Sequence, residues 1–247
     1  MNISAVILTK NDQDTIKKVL ESVSFCSQVL VIDDDSSDDT ASIAKKMGAQ
    51  VYKRKLDNNL AKQRNFGLNK AKHDWVLFID SDELVTQELK QEIRDVLPDT
   101  EKQGFYIPRK DMFLGKKLKH GEAGNIKLLR LAKKSKGYWR RAIHEVWKVE
   151  GDLGTLKNPI LHERDISISQ FIERINFYTS IDAQELKSEG KKYGFAQLIF
   201  KPIGKFFYNY IILLGFLDGV QGFIFAYIMS LHSIIVRVKQ WENKSNA

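Results

Sequence analysis

The feature that most constrains this chain is a series of short apolar segments in its first hundred residues, each ending in polar or acidic residues. The segments cover residues 5–8, 29–32 and 75–79. Their length and β-branched content are typical of buried parallel strands. Apolar residues at helical spacing lie between them, most clearly over residues 16–23. This alternation predicts an α/β fold with an open, mainly parallel sheet, flanking helices and right-handed crossovers.

In an open α/β sheet, ligands bind beyond the carboxyl ends of the strands, so the residues at those ends carry the functional information. A polar cluster follows each of the three predicted strands. The clusters are Thr9-Lys10-Asn11, Asp33-Asp34-Asp35 and Asp80-Ser81-Asp82. The sequence therefore predicts one ligand site formed by these three loops.

The third cluster has the composition of a metal and phosphate site. Asp80 and Asp82 stand one residue apart, with Ser81 between them, after five apolar residues. Mg²⁺ or Mn²⁺ takes oxygen ligands and is commonly held by one or two carboxylates together with substrate phosphates. The alternative is a solvated acidic turn in which Asp80 or Asp82 caps the next helix. The buried strand before the cluster and the acidic loop upstream favour the metal and phosphate site.

The upstream loop is a candidate nucleotide site. Asp33 and Asp34 can accept hydrogen bonds from a base N–H or a ribose hydroxyl, and Asp38 or Ser37 is interpreted as a helix cap. Thr9 and Asn11 add short polar side chains beside this loop. No glycine-rich dinucleotide or P-loop motif follows any strand in the sequence, which argues against those two classes.

For two arginines the sequence allows both a functional and a structural interpretation. Arg64 lies in the segment 59–65 that opens a predicted helix, and it is expected to bind either a phosphate or an active-site carboxylate, or else to lie on the surface. Arg130 lies in an extended segment, where it either reaches a phosphate or is a charge on an edge strand.

The rest of the chain divides into two parts. Residues 104–162 contain short extended pieces, interpreted as a smaller antiparallel layer on which an acceptor sits. From residue 195 to 236 the chain is rich in aromatic and aliphatic residues, interrupted by Pro202, Asn209 and Asp218. We expect a catalytic domain at residues 1–165, with a donor half at about 1–100 and an acceptor half at about 101–165. A helical extension at 166–247 would then contain an amphipathic hairpin at about 195–240.

This hairpin is predicted to associate with a membrane. Its two apolar pieces, 203–217 and 219–236, are shorter than a clean spanning helix of roughly 20 residues. The basic residues that flank the pieces are expected to meet anionic head groups; they are Lys201, Lys205, Arg237 and Lys239. In-plane docking is the preferred interpretation, because so many exposed aromatic side chains are unfavourable on a soluble surface. A spanning hairpin, or one buried on the catalytic domain or in a homo-oligomer, remains open.

The net charge, the cysteine count and the first residues indicate which partners and which cellular compartment to expect. The net charge of +8 favours anionic partners, but no nucleic-acid-binding motif accompanies it. The single cysteine, Cys26, is expected to pack in the core, and its isolation fits a reducing compartment. The first residues lack the pattern of a signal peptide, so we expect a cytoplasmic protein.

Four motifs in order resemble the inverting glycosyltransferases of family 2, which have the nucleotide-diphospho-sugar (GT-A) fold. The motifs are Ile-Leu-Thr-Lys-Asn at 7–11, Val-Ile-Asp-Asp-Asp-Ser-Ser-Asp-Asp-Thr at 31–40, Ala-Lys-Gln-Arg-Asn at 61–65 and Phe-Ile-Asp-Ser-Asp-Glu at 78–83. The remainder resembles a subgroup, the lipopolysaccharide core β-1,4-glucosyltransferases. Its supporting pieces are Ile143-His144-Glu145, Leu161-His162, Lys201-Pro202, Gly215-Phe216-Leu217-Asp218-Gly219, Gln221-Gly222-Phe223 and Lys239-Gln240-Trp241-Glu242.

The resemblance implies roles for individual residues on the donor side. Asp33 or Asp34 would bind the base or ribose, and Arg64 would face the pyrophosphate. Asp80 and Asp82 would hold the metal and the donor. The subgroup often has Gly or Ser where this chain has Asp34-Asp35, which leaves open which aspartate contacts the nucleotide.

On the acceptor side, an inverting transfer to a hydroxyl needs a general base, and Glu145 is our candidate. The alternative for Glu145 is a structural ion pair with Arg140 or Arg141. His162 is a tentative additional metal ligand and His144 a weaker one, since a lone histidine near a sheet more often packs and hydrogen-bonds.

Taken together, the sequence and the resemblance predict a metal-dependent hexosyltransferase at the cytoplasmic face of the membrane. We expect it to move a hexose, glucose by preference, from a UDP-linked donor to a lipid-anchored saccharide such as lipopolysaccharide inner core. Polyprenyl phosphate, a protein or peptide acceptor, and a non-catalytic nucleotide-sugar-binding scaffold are the alternatives.

Overall fold

The structure is a computed structural model that describes residues 1–142, 145–162, 167–191 and 194–245. The strands are β1 (Ile3–Thr9), β2 (Gln28–Asp33), β3 (Gln50–Lys53), β4 (Trp75–Asp80), β5 (Glu83–Val85), β6 (Gly104–Phe113), β7 (Lys116–Lys117), β8 (Lys127–Lys133), β9 (Gly137–Arg140), β10 (Val146–Val149), β11 (Leu153–Thr155) and β12 (Ile160–His162). The α-helices are α1 (Ile16–Ser22), α2 (Thr40–Lys46), α3 (Leu60–Lys70), α4 (Gln87–Val96), α5 (Gly121–Gly124), α6 (Ile168–Ser188), α7 (Phe195–Phe207) and α8 (Gly219–Ser245).

The chain forms two compact units. The sheet unit consists of Met1–Arg109 and Ile126–Arg164, and the helical unit consists of Lys110–Asn125 and Asp165–Ala247. Grouping of residues 110–125 with the C-terminal helices was not indicated by the sequence. The predicted domain boundary near residue 165 stays a prediction.

The main sheet has the mixed, mostly parallel α/β architecture that the sequence predicts. Its strand order is β3-β2-β1-β4-β8-β6-β12-β5. The pairs β3–β2, β2–β1 and β1–β4 are parallel, whereas β4–β8, β8–β6 and β12–β5 are antiparallel. The fold prediction is confirmed.

The register of β1 brings the polar strand ends together. Thr9 pairs with Asp33 of β2, and Leu8 pairs with Asp80 of β4. The strands can lie side by side at the centre because both of their faces are apolar: Val6 and Ile7 are fully buried in core clusters on opposite faces. The carboxyl ends of three adjacent parallel strands therefore lie at one edge.

The acceptor half differs in part from the expected separate layer. β6 and β8 are antiparallel, as expected, but they extend the main sheet. Only β9 and β10 form a separate two-stranded sheet within the described residues. Because β8 lies between β4 and β6, the interpretation of Arg130 as an edge-strand charge is wrong.

The helical unit explains why polar residues interrupt the apolar C-terminal stretch. The carboxylate of Asp218 is buried and accepts hydrogen bonds from the backbone N–H of Lys119 and of His120, at 3.0 and 2.7 Å. Asn209 is also buried, and its Oδ1 accepts the backbone N–H of Glu122 at 2.9 Å. These side chains therefore hold the 110–125 segment on the C-terminal helices.

The predicted hairpin is present as two packed helices, α7 and α8. A π-helical turn (Tyr208–Ile212) and a 3₁₀ turn (Gly215–Asp218) connect them. Gly215–Glu242 is long and apolar enough to cross a membrane, with a mean hydropathy of 1.6 in its most apolar window. The core helix of a soluble protein can be equally long and apolar. The window is only 28% buried.

Candidate active site

The three strand-end loops of the sheet unit are joined by hydrogen bonds. Asn11 accepts from the backbone N–H of Ser37 through Oδ1 at 2.9 Å, and its own backbone N–H donates to Ser36 Oγ at 2.9 Å. Asn11 adopts a left-handed conformation (φ 54°), which asparagine tolerates better than most residues. The first and second loops thus form one polar surface, as the sequence predicts.

Asp12 connects the first loop to the third and was missed as a site residue. Its Oδ2 accepts hydrogen bonds from Thr9 Oγ1 at 2.9 Å and from Ser81 Oγ at 2.5 Å. Its backbone N–H donates to Thr40 Oγ1 at 2.8 Å, which ties in the second loop. Thr9 and Ser81 are buried, so their hydroxyls serve to order the loops. The available signal was the position of Asp12 directly after the first predicted strand end.

Asp33 and Asp34 occupy different environments. Asp33 is fully buried, and its carboxylate is bound by the backbone N–H and the hydroxyl of Ser36. The Asp34 side chain is 15% exposed. It accepts the backbone N–H of Leu56 at 2.8 Å and binds Lys10 Nζ at 2.9 Å. Asp34 is therefore the more accessible of the two carboxylates, although a lysine already contacts it.

Arg64 joins two of the predicted acidic residues. Its Nη2 donates to Asp80 Oδ1 and its Nε donates to Glu145 Oε1, both at 2.8 Å. The guanidinium is only 4% exposed and lies over the ring of Trp139, 4.7 Å from the ring centroid. Arg64 thus contacts active-site carboxylates, one of the two interactions that its sequence context suggested.

Arg130 and Glu83 continue this buried network. Arg130 Nη2 donates to Asp80 Oδ2 at 2.5 Å and to Glu83 Oε1 at 3.0 Å, and Arg109 lies 3.5 Å from the same Glu83 oxygen. Glu83 is fully buried, and its Oε2 accepts the backbone N–H of Asp80 at 3.0 Å. Glu83 ends the motif at 78–83, and the sequence alone suggested no role for it. The structure places it under the loop, where it fixes the backbone of Asp80.

The network sets the charge state of Asp80. Burial alone would raise the pKa of the Asp80 carboxyl, but the positive charges of Arg130 and Arg64 outweigh it and hold that pKa well below its usual range. The same carboxylate and Glu83 raise the pKa of Arg130 against the opposing effect of burial. Both groups therefore stay ionised throughout the neutral range.

Asp82 and His162 form a second pair beside this network. His162 Nε2 lies 3.2 Å from Asp82 Oδ2, and each side chain is about 15% exposed. The pair arises because β12 runs antiparallel to β5, with His162 opposite Glu83. Among the described residues there is no cluster of three or more His, Cys, Asp or Glu side chains arranged to hold a metal. His144 lies outside the described residues.

The predicted site residues of the sheet unit thus lie close together at one edge of the sheet, and the chain itself matches a known family. The sequence profile described as glycosyl transferase family 2 matches residues 4–146, which is more than half of the chain. The chain belongs to glycosyl transferase family 2. The resemblance in the sequence is thereby confirmed, and the protein is an enzyme of the glycosyltransferase class.

Relatives of known sequence support the same family over nearly the whole chain. An uncharacterized glycosyltransferase of Rickettsia typhi is 29% identical, covering 92% of this chain and 82% of the relative. The lipopolysaccharide core biosynthesis glycosyltransferase LpsC of Rhizobium meliloti is 24% identical, covering 92% of this chain and 89% of the relative.

A solved structure supports the fold. Glucosyl-3-phosphoglycerate synthase from Mycobacterium tuberculosis, in complex with Mn²⁺, uridine diphosphate and phosphoglyceric acid, is similar with a TM-score of 0.51. The match covers 78% of this chain and 80% of the other, at 18% identity. At this identity the similarity concerns the fold alone.

Proposed function

We propose that this family 2 enzyme transfers a hexose, with inversion, from a UDP-linked donor to a hydroxyl of a lipid-anchored saccharide. The observation that carries the proposal is the bridge formed by Arg64 between Asp80 of the strand-end loop and Glu145. This bridge connects the carboxylates predicted for donor and acceptor chemistry at one edge of the sheet. Binding of uridine diphosphate by the structural neighbour supports the choice of donor.

In the donor site, Asp34 is assigned to the base or ribose in preference to Asp33. The reason is exposure, since Asp33 is fully buried and already bound by Ser36. Thr9, Asn11 and Ser81 then act mainly by ordering the loops around the donor.

The residues present fit a divalent cation, because Asp82 and His162 offer one carboxylate oxygen and one imidazole nitrogen within 3.2 Å of each other. This donor set suits Mn²⁺, and diphosphate oxygens commonly complete such a site. When bound, the cation would neutralise charge developing on the leaving diphosphate. Both oxygens of Asp80 are bonded to arginines, so metal ligation by Asp80 would compete with those contacts.

Glu145 is assigned the role of general base. Its side chain is 13% exposed, and Oε1 is fixed by Arg64. A carboxylate held in one orientation can accept the proton of an attacking hydroxyl while Arg64 keeps its position.

The acceptor assignment rests on two separate observations. The LpsC relative is named for lipopolysaccharide core biosynthesis. The helical unit exposes many large apolar side chains, among them Phe195 (74%), Phe200 (70%) and Val220 (69%). Such a surface fits association with the cytoplasmic face of a membrane, where a lipid-anchored acceptor would be found.

The deciding experiment measures transfer of glucose from UDP-glucose to a lipopolysaccharide-core glycolipid extract. We expect Glu145→Gln to lower kcat by about 10²–10⁴-fold with little change in donor binding. Glu145→Asp, which keeps the carboxylate, should retain more activity. An unchanged kcat in Glu145→Gln would refute the base and favour an acceptor that is already ionised, such as polyprenyl phosphate.

The metal assignment is tested by chelation. EDTA should abolish transfer, and added Mn²⁺ or Mg²⁺ should restore it. Asp82→Asn should raise the metal concentration needed for half-maximal rate, while Asp95→Asn, on the remote helix α4, should not. Full activity in EDTA would remove the metal from the proposal without affecting the role of Glu145.

Membrane association is tested with liposomes. Protein truncated after residue 194 should lose cosedimentation with vesicles that contain anionic lipid. The truncated protein, which keeps the sheet unit and helix α6, must first show an intact fold by circular dichroism. Equal cosedimentation of the truncated and full-length proteins would exclude docking through the hairpin.

A further inference from the structure

We propose that Asn65 is a positioning residue that holds the β9–β10 hairpin, and with it Glu145, against helix α3. The hairpin consists of β9 (Gly137–Arg140) and β10 (Val146–Val149), and Glu145 directly precedes β10. The mechanistic part of this inference rests on the proposed role of Glu145 as general base.

The contact between Asn65 and the hairpin is reciprocal. Asn65 Nδ2 donates to the carbonyl oxygen of Trp139 at 2.9 Å, and the backbone N–H of Trp139 donates to Asn65 Oδ1 at 2.8 Å. The side chain therefore satisfies the N–H and C=O of the same residue, as a neighbouring strand would. The Asn65 amide can donate and accept at once, whereas an ionised aspartate accepts only and alanine does neither.

The neighbouring residue Arg64 makes two further contacts with this region, one with Trp139 of β9 and one with Glu145. Its guanidinium lies 4.7 Å from the Trp139 ring centroid, and its Nε binds Glu145. At the start of α3, the backbone N–H of Leu60 donates to the carbonyl oxygen of Ala142 at 2.8 Å. Helix α3 thus contacts β9, Ala142 and Glu145.

The hairpin needs this anchorage because it is a separate two-stranded sheet among the described residues. An isolated two-stranded hairpin is marginally stable in water. Its inner face is held by Trp139 and Trp147, which stack on each other and contact Phe78. That apolar contact holds the hairpin against Phe78 of β4. We infer that the two hydrogen bonds of Asn65 fix its position along α3. A catalytic group displaced by about 1 Å can lose roughly 10²-fold in rate.

The experiment compares Asn65→Ala and Asn65→Asp with the matched control Asn69→Ala, which alters an exposed amide one turn later on the same helix. Hydrogen exchange of peptides covering β9 and β10 measures how readily the hairpin opens, without reference to activity. We expect about tenfold or faster exchange in Asn65→Ala, a smaller change in Asn65→Asp and none in the control. Unchanged exchange in Asn65→Ala overturns the proposal.

Kinetics then test whether Asn65 acts through Glu145. Asn65→Ala should lower kcat by about 10–10²-fold with donor KM little changed. The same substitution in a Glu145→Gln background should add almost nothing, because the group it positions is already gone. Full additivity, or an unchanged kcat despite faster exchange, refutes positioning of the base. Faster exchange with a silent Glu145→Gln would instead refute the proposed base and leave the anchoring of the hairpin standing.

Discussion

Replacement of Arg130 by methionine tests the buried charge network most directly. Arg130 is 6% exposed and binds Asp80 and Glu83, so the substitution leaves two carboxylates without their shared cation. Methionine fills similar apolar volume but neutralises nothing. The free energy of unfolding should therefore fall because buried negative charge loses its compensation.

The magnitude follows from the burial of the two carboxylates. Removal of one partner from a buried ion pair costs roughly 3–5 kcal/mol. Glu83 is fully buried, whereas the Asp80 side chain is 31% exposed, and water will offset part of its loss. Arg64 also remains bonded to Asp80. We therefore expect the lower end, about 3 kcal/mol at pH 7.

The loss should depend on pH in a defined direction. In the wild type, burial raises the pKa of Asp80, but Arg130 and Arg64 hold it below its usual range. A depressed folded-state pKa gives stability that is present above the unfolded pKa of about 3.9 and is lost as pH falls through the folded value. Without Arg130 the pKa of Asp80 rises, so Asp80 is protonated at a higher pH in the variant than in the wild type. Protonation removes the uncompensated negative charge and lessens the destabilisation of the variant. The difference between the two proteins should therefore shrink from pH 7 to pH 4.

Urea unfolding followed by tryptophan fluorescence measures this difference, since Trp75, Trp139 and Trp147 all lie in the sheet unit. Arg94→Met, at an exposed position of α4, is the control and should change stability by less than about 0.5 kcal/mol. A loss below about 1 kcal/mol at pH 7, or an equal loss at both pH values, would refute the argument that Arg130 compensates buried charge.

Three further outcomes follow from single side chains. Burial raises the pKa of the Cys26 thiol to about 12, so iodoacetamide at pH 8 should label the native protein on the order of 10²-fold more slowly than the unfolded protein, as read by mass spectrometry. Asp218→Ala removes the buried carboxylate that accepts the backbone N–H groups of Lys119 and His120; it should cost about 2–4 kcal/mol and accelerate hydrogen exchange in residues 116–124, whereas Asp218→Asn should cost less. Asp34→Ala should raise the donor KM about tenfold with kcat unchanged if Asp34 binds the nucleotide equally in the ground and transition states, and a fall in kcat at unchanged KM would contradict that assignment.

The sheet edge could be predicted from the sequence because its signal is local. Short apolar runs ending in polar residues identify β1, β2 and β4, and parallel pairing necessarily brings their carboxyl ends together. The proximity of Asn11 to the second loop follows from this topology. A sequence read in this way identifies which loops form a site without showing how their side chains pair.

The pairing itself could not be predicted, because it depends on contacts between distant parts of the chain. Arg64 and Glu145 are 81 residues apart, and Arg130 and Asp80 are 50 apart. The interior position of β8 depends on antiparallel pairing with β4 and β6, which no local pattern specifies. Asp12 was overlooked for a related reason: a lone aspartate before a helix is most simply interpreted as a cap.

Pairing between distant residues also determines which lysines and arginines are available to a membrane surface. A lysine or arginine in a sequence attracts an anionic partner only if the fold does not supply one. Lys239 Nζ is bound by oxygens of Asn176, Thr179 and Ser180, and Lys205 is paired with Glu122. Two of the four cations expected to meet head groups are thus engaged inside the helical unit. Apolar contact should therefore contribute more to the proposed docking than charge, and binding to vesicles should decline only modestly as salt is raised.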